Sequence, residues 1–286
     1  MATLFVNNLI SYNSTTAQFR LWCTFVHNVF MLGFINVTDS GQIDLTNTPI
    51  PTVAKTTIGY KIYRTNDSMT PIYFKVEFGA GGNPLYPLIA ITIGTAYING
   101  GTISGLILLS RIELNQNSLD SSTSQVAFGS GDTNRVCFVI FASSAVVPMF
   151  FSFERRKDIN ISDVDTGVLL DWSSTISKNR TLCVPFTGVI PVADVGFHFI
   201  LTTTSPAAYG NVVPQGLRIP CLGPSEPPGM NMAFCTTGDY GAFAEPTITI
   251  NSTNVKFKQC GSFLTSLRAT TGTSDETQTR LLLRYE

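Results

Sequence analysis

A mainly antiparallel β fold with a single N-terminal amphipathic helix is what the sequence predicts. Three observations carry that expectation. Apolar and polar residues alternate at a period of two through much of the chain. Clusters of Gly, Asn and Pro separate these runs and supply turn chemistry. Between residues 15 and 33 the period lengthens to that of a helix.

The elements follow in order. Thr15 and Gln18 stand at capping-box spacing. Phe19, Trp22, Cys23, Val26, Val29 and Phe30 then form one apolar stripe, and Gly33 fits the position after the C-cap. His27 lies just off the stripe, where a packed or surface histidine is expected rather than a ligand. Residues 59–65 read as a strand. Ile72, Phe74, Val76 and Phe78 alternate with Tyr73, Lys75 and Glu77, the pattern of a strand with one face buried. Gly79, Gly81, Gly82, Asn83 and Pro84 end it. Residues 88–95 form the next strand, Asn99, Gly100 and Gly101 the next turn, and residues 105–114 continue the meander. Residues 115–134, rich in Ser, Gly, Asn and Asp, read as a long exposed loop. Two strongly apolar runs, 135–142 and 148–155, look like neighbouring strands of one hairpin.

A polar break at 158–167 suggests a boundary. It divides a helix-plus-β unit over residues 1–160 from a second, irregular β region over 161–286. In the second region residues 181–186, 196–204, 232–236, 246–250, 255–258 and 281–285 are short strand candidates. Pro206, Pro214, Pro220, Pro224, Pro227 and Pro228 crowd residues 205–229, which read as an extended arm, because proline lacks the donor a central strand needs.

Composition narrows the function. The chain has 286 residues, 44% apolar and only 13% charged, with a net charge of -1. The charged share is about half that of an ordinary soluble domain. Mean hydropathy is +0.20. Thr, Ser and Asn replace the missing charges, which suits a surface buried against other subunits. A nucleic-acid surface needs a basic excess that is lacking here. The apolar stretches are too short to span a bilayer as helices, and the N-terminus lacks the pattern of a signal peptide.

Chemistry-bearing residues are sparse. Two histidines, His27 and His198, exclude a multi-histidine metal site within one chain. Among the six cysteines no pair has CxxC spacing. Cys23, Cys137 and Cys183 lie in apolar runs, whereas Cys221, Cys235 and Cys260 lie in loop-like sequence that leaves a disulfide among them open. No GxSxG elbow occurs. Glu77 and Glu154 each sit in a strand pattern and are expected to point outward and pair with neighbouring bases. The stretch from Asp158 to Asp165 lacks the Gly and Glu of a calcium loop and reads as an acidic turn. The glycines at 79–82 and 94–101 lie between strands and read as hairpin turns rather than a phosphate cradle. Trp22 belongs to the helix stripe, and Trp172 is packed or exposed, so no carbohydrate platform is supported. No catalytic, cofactor-binding or metal-binding residue is assigned, and the chain is expected not to be an enzyme.

Several segments together carry a resemblance. They are Phe19 with Trp22; Asp39, Gly41, Gln42 and Ile43; Pro49 and Pro51; and Gly59, Ile62, Tyr63 and Arg64. Residues 71–79 and 87–95 follow, then Gly131, Asp132, Asn134 and Arg135, and then residues 151–158. Over residues 1–160 this order resembles a family of tailed-bacteriophage virion structural proteins encoded among tail and fibre genes. The resemblance implies a virion component made in the host bacterial cytoplasm and transfers no functional residue. The expected role is a tail or baseplate–fibre component that works through subunit contacts. Its expected partners are itself, as a homo-oligomer such as a trimer, and other virion proteins, with neither nucleic acid nor membrane. A capsid decoration or cement protein is the alternative, and a receptor- or glycan-binding tip protein is less supported.

Overall fold

A computed structural model describes residues 2–9, 15–67, 70–82, 87–107, 111–115, 125–142, 149–155, 166–172, 180–185, 215–218, 229–236, 244–250, 253–265 and 277–285. The chain runs β1 (Ala2–Leu9), α1 (Thr16–Met31), β2 (Ile35–Asn36), β3 (Thr56–Arg64), β4 (Tyr73–Ala80), β5 (Pro87–Ile98), β6 (Thr102–Leu106) and β7 (Ile112–Asn115). It continues with β8 (Gln125–Asp132), β9 (Arg135–Ala142), β10 (Met149–Arg155), β11 (Thr166–Trp172) and β12 (Arg180–Pro185). The last strands are β13 (Gln215–Arg218), β14 (Gly229–Thr236), β15 (Thr247–Ile250), β16 (Thr253–Thr265) and β17 (Thr277–Arg284). Every described ladder is antiparallel, and the fold is mainly β with one helix, as the patterning predicts.

Three sheets form. The first has the order β2-β3-β4-β5-β6, with β7 also on β5. The second runs β1-β8-β9-β10-β11-β12, and the third β13-β14-β17-β16-β15. Helix α1 packs against the first and second sheets. Thr15 Oγ1 caps it by accepting the Gln18 N–H at 3.2 Å, but Gln18 Oε1 has no partner, so the box is half made. Its buried residues are Phe19, Trp22, Cys23, Phe25, Val26, Val29 and Phe30. At 100° per residue these span an arc of roughly 160°, wide enough to touch two layers. Phe30 stacks on Tyr63 of β3 at 4.6 Å and lies 6.3 Å from Phe151 of β10. Phe74 of β4 meets Phe153 of β10 edge-on at 4.9 Å, which joins the two sheets directly.

In the second sheet β9 and β10 are buried on both faces. Val136, Phe138, Ile140, Met149, Phe151 and Phe153 belong to the core shared with α1 and the first sheet. The alternate residues Cys137, Val139, Phe150 and Ser152 are buried on the opposite face. There the third sheet covers it: Ser130 Oγ donates to Arg284 O at 3.3 Å, and Phe128 meets Tyr285 at 6.3 Å. Burial on both faces accounts for the near-continuous apolar runs of β9 and β10, which pair as the predicted hairpin.

The described elements depart from the sequence pattern at several points. The stretch at 115–134 is not one long loop, because residues 125–132 form β8, between β1 and β9. Its glycines answer to α1 instead: a Cβ on Gly129 would lie 2.2 Å from Val29 Cγ2. Gly33 does follow the C-cap Leu32, yet its φ is not positive. A Cβ there would lie 2.1 Å from the Asp132 backbone, so close approach is what requires glycine. The strand expected at 105–114 is divided between β6 and β7, both on β5. The boundary expected at 160 falls between β10 and β11, which are neighbours in one sheet. Residues 196–204 and the prolines of the expected arm lie outside the described residues, and β13 within that arm is an edge strand.

Candidate functional site

Among the described residues a dense polar cluster surrounds Asp39, in the segment that follows β2. Its Oδ1 accepts the Gly41 N–H at 2.7 Å and the Tyr60 hydroxyl at 3.2 Å. Its Oδ2 accepts the N–H groups of Gly100 and Gly101 at 3.1 and 2.9 Å, and the Tyr97 hydroxyl. Gly100 and Gly101, in the β5–β6 turn, have φ of 81° and 72°. This left-handed backbone aims two successive N–H groups at one oxygen, as in an anion nest. The turn that the sequence predicts is therefore also an anion cradle, and it is filled from within the chain. A Cβ on Gly101 would lie 2.5 Å from Tyr60 Cζ. Lys75 Nζ sits 4.9 Å over the Tyr60 ring, and Tyr73 stacks on Tyr97 at 6.0 Å.

Electrostatics follow from this geometry. Hydrogen bonds to the charged form, that of Tyr97 foremost, hold the Asp39 carboxyl at about 2. Burial and the bond to Asp39 push the Tyr97 phenol up to about 12. At neutral pH the carboxylate is ionised and the phenols are protonated, a state suited to holding rather than to exchanging protons.

Glu77 is placed as expected. It lies 3.6 Å from Lys75 Nζ and 3.5 Å from a terminal nitrogen of Arg111, which also reaches Glu113 at 2.7 Å. Glu154 is not outward: it is fully buried, on the face that the third sheet covers. Arg155, next in the chain, lies 3.1 Å from Asp67 Oδ1 and donates to Thr70 O at 2.6 Å. His27 is half-buried, with Nδ1 2.7 Å from the Tyr63 hydroxyl. Burial, and then the Lys61 charge, lower its pKa. Cys23 and Cys137 are buried free thiols whose pKa burial raises. Trp22 is fully buried. His198, Cys221 and residues 158–165 lie outside the described residues, as do the side chains of Trp172, Cys183, Cys235 and Cys260.

Beside the Asp39 cradle lies a surface of different character. From Phe78 to Ser110 the sequence has no charged residue. On the β5–β6 hairpin Ile98 is 56% exposed and Leu106 45%. Sequence reasoning missed both the cradle and this surface. The Asp-x-Gly spacing of Asp39 and Gly41 signals an Asx-turn, but nothing local announces partners at Tyr97, Gly100 and Gly101. Among the described residues no His, Cys, Asp and Glu group is arranged to hold a metal ion. Comparisons with family models, with curated proteins and with solved structures found no match.

Proposed function

We propose that this chain is a non-enzymatic structural subunit of a tailed-bacteriophage virion, in the tail or baseplate–fibre region, acting through subunit contacts. One observation carries the reading: a charge-free hairpin presents Ile98 and Leu106 to solvent while the Asp39 cradle fixes its turn. A subunit seam needs such a surface, with apolar area to bury, few charges to desolvate and a pose set before contact. The low overall charge and the resemblance over residues 1–160 support the same role. The seam joins copies of the chain, and other virion proteins complete the contacts.

Two measurements test it. Light scattering of the purified chain behind a sizing column is expected to give a discrete oligomer, and Leu106→Asp to lower its mass. Gold-labelled antibody against the chain is expected to mark phage particles at the tail end. Label on the head would replace this reading with that of a decoration protein, and unlabelled particles would overturn the virion role.

A further inference from the structure

Residues 37–48 cover the outer edge of β3 without forming a strand. The Val37 N–H donates to Ile62 O at 2.9 Å, and the Ile43 N–H to Tyr60 O at 3.0 Å. Between them the Gln42 carboxamide stands in for a backbone. Its Oε1 accepts the Ile62 N–H at 3.1 Å and an Asn36 side-chain N–H at 3.0 Å, while its Nε2 donates to Val37 O. The cover is held largely by polar contacts. Ile43 is its buried apolar anchor, with Leu45 packed more loosely. Asp44 ties its turn internally through Thr46 and Asn47, and Arg20 Nε reaches Thr48 O at 2.9 Å. Asp39 fastens it to the β5–β6 turn.

We propose that residues 37–48 are a detachable cover on β3, latched by the Asp39 carboxylate, and that a second copy of this chain pairs with the uncovered edge. This rests on the assembly reading above and adds to the hairpin seam a second contact between copies, at the β3 edge, that forms only when the latch is released. Segments with few apolar contacts open at a free energy below that of global unfolding. The strand beneath, residues 56–64, is rich in β-branched and aromatic side chains, and Ile62, whose backbone the cover bonds, is fully buried. An uncovered edge of that composition is a template for another strand. A second copy fits it without charge conflict. Antiparallel pairing about a two-fold axis at Tyr60 sets Tyr60 against itself, Ile62 against Ile58 and Lys61 against Gly59.

The test uses the full chain. In Asp39→Ala, hydrogen exchange at the Ile43 and Ile62 amides is expected to rise by about tenfold or more, the loss of charge-assisted bonds, with β4 and β9 amides unchanged. Light scattering is expected to show a species of twice the wild-type mass. Tyr97→Phe, which removes one donor, is expected to give a smaller effect of the same kind if Asp39→Ala folds poorly. Asp44→Ala is expected to leave the Ile62 amide and the mass as in wild type. Asp39→Ala with Ile58→Lys is expected to open the cover and keep the wild-type mass, because a lysine on the edge blocks strand addition. Unchanged Ile62 exchange in Asp39→Ala would overturn the latch. Faster exchange without a gain in mass, or a gain that survives Ile58→Lys, would overturn the second copy as occupant. Failure of the particle labelling would sink the virion role and leave these outcomes standing.

Discussion

At the scale of single residues, Asp39 couples protonation to structure. Its carboxyl sits at about 2 in the folded chain, below the ordinary 3.8. A depressed acid contributes stability that is fully present above the unfolded value and is lost as pH falls toward the folded one. The acid limb of thermal unfolding, between about pH 4 and pH 2, is therefore expected to be shallower in Asp39→Asn than in wild type; equal slopes would show that Asp39 is not linked to folding. His27 works in a higher window. Its lowered pKa means that the unfolded chain binds the proton more tightly, so stability is lost as pH falls below 6.5. His27→Gln is expected to remove that loss, read from urea midpoints at pH 7.5 and 5.5. Gly129 is constrained by packing: Val29 is fully buried and stiff at χ1, so it cannot yield to a new Cβ at 2.2 Å. Gly129→Ala is expected to cost about 1–3 kcal/mol in urea denaturation.

At the scale of elements, legibility in the sequence tracked how local the cause was. The helix stripe, the alternation of β4 and the β9–β10 hairpin answer to burial patterns that each segment carries by itself, and all were readable. Strand β8 was not, because Gly129 and Gly131 are required by Val29 and Leu32 at the end of a distant helix, and glycine lowers β propensity. The outward reading of Glu154 failed for a similar reason: only the third sheet, far along the chain, turns that face into an interior. Nor does any local pattern bind the β3–β4 connection to the second sheet. The Asn66 N–H donates to Thr133 O at 2.7 Å, and Asp67 pairs with the buried Arg155. Removing one partner of a buried pair strands the other charge. Asp67→Ala is thus expected to destabilise by about 3 kcal/mol, with Arg155→Met together with Asp67→Ala recovering part of the loss; additive losses would show that the pair is not coupled.

At the scale of the whole molecule, the second sheet is the shared middle layer, and the burial of β9 and β10 on two faces links the chain's early and late parts. Residues 1–160 supply α1, the first sheet and β8 to β10. They do not supply the cover for Cys137, Val139 and Phe150, nor the strand that pairs with β10. A fragment ending at residue 160 would expose that apolar face and an open strand edge together, the combination that drives aggregation. The fragment is therefore expected to be insoluble or to elute as large aggregates at concentrations where the full chain gives a discrete species. In the full chain, unfolding followed by Trp22 fluorescence and by far-ultraviolet circular dichroism is expected to give one coincident transition, because no layer loses its neighbour without exposing a core. A soluble fragment with native-like fluorescence, or two separated transitions, would mean that the third sheet is an independent unit resting on a completed domain. The polar break at 158–167 would then be the boundary that its composition suggests.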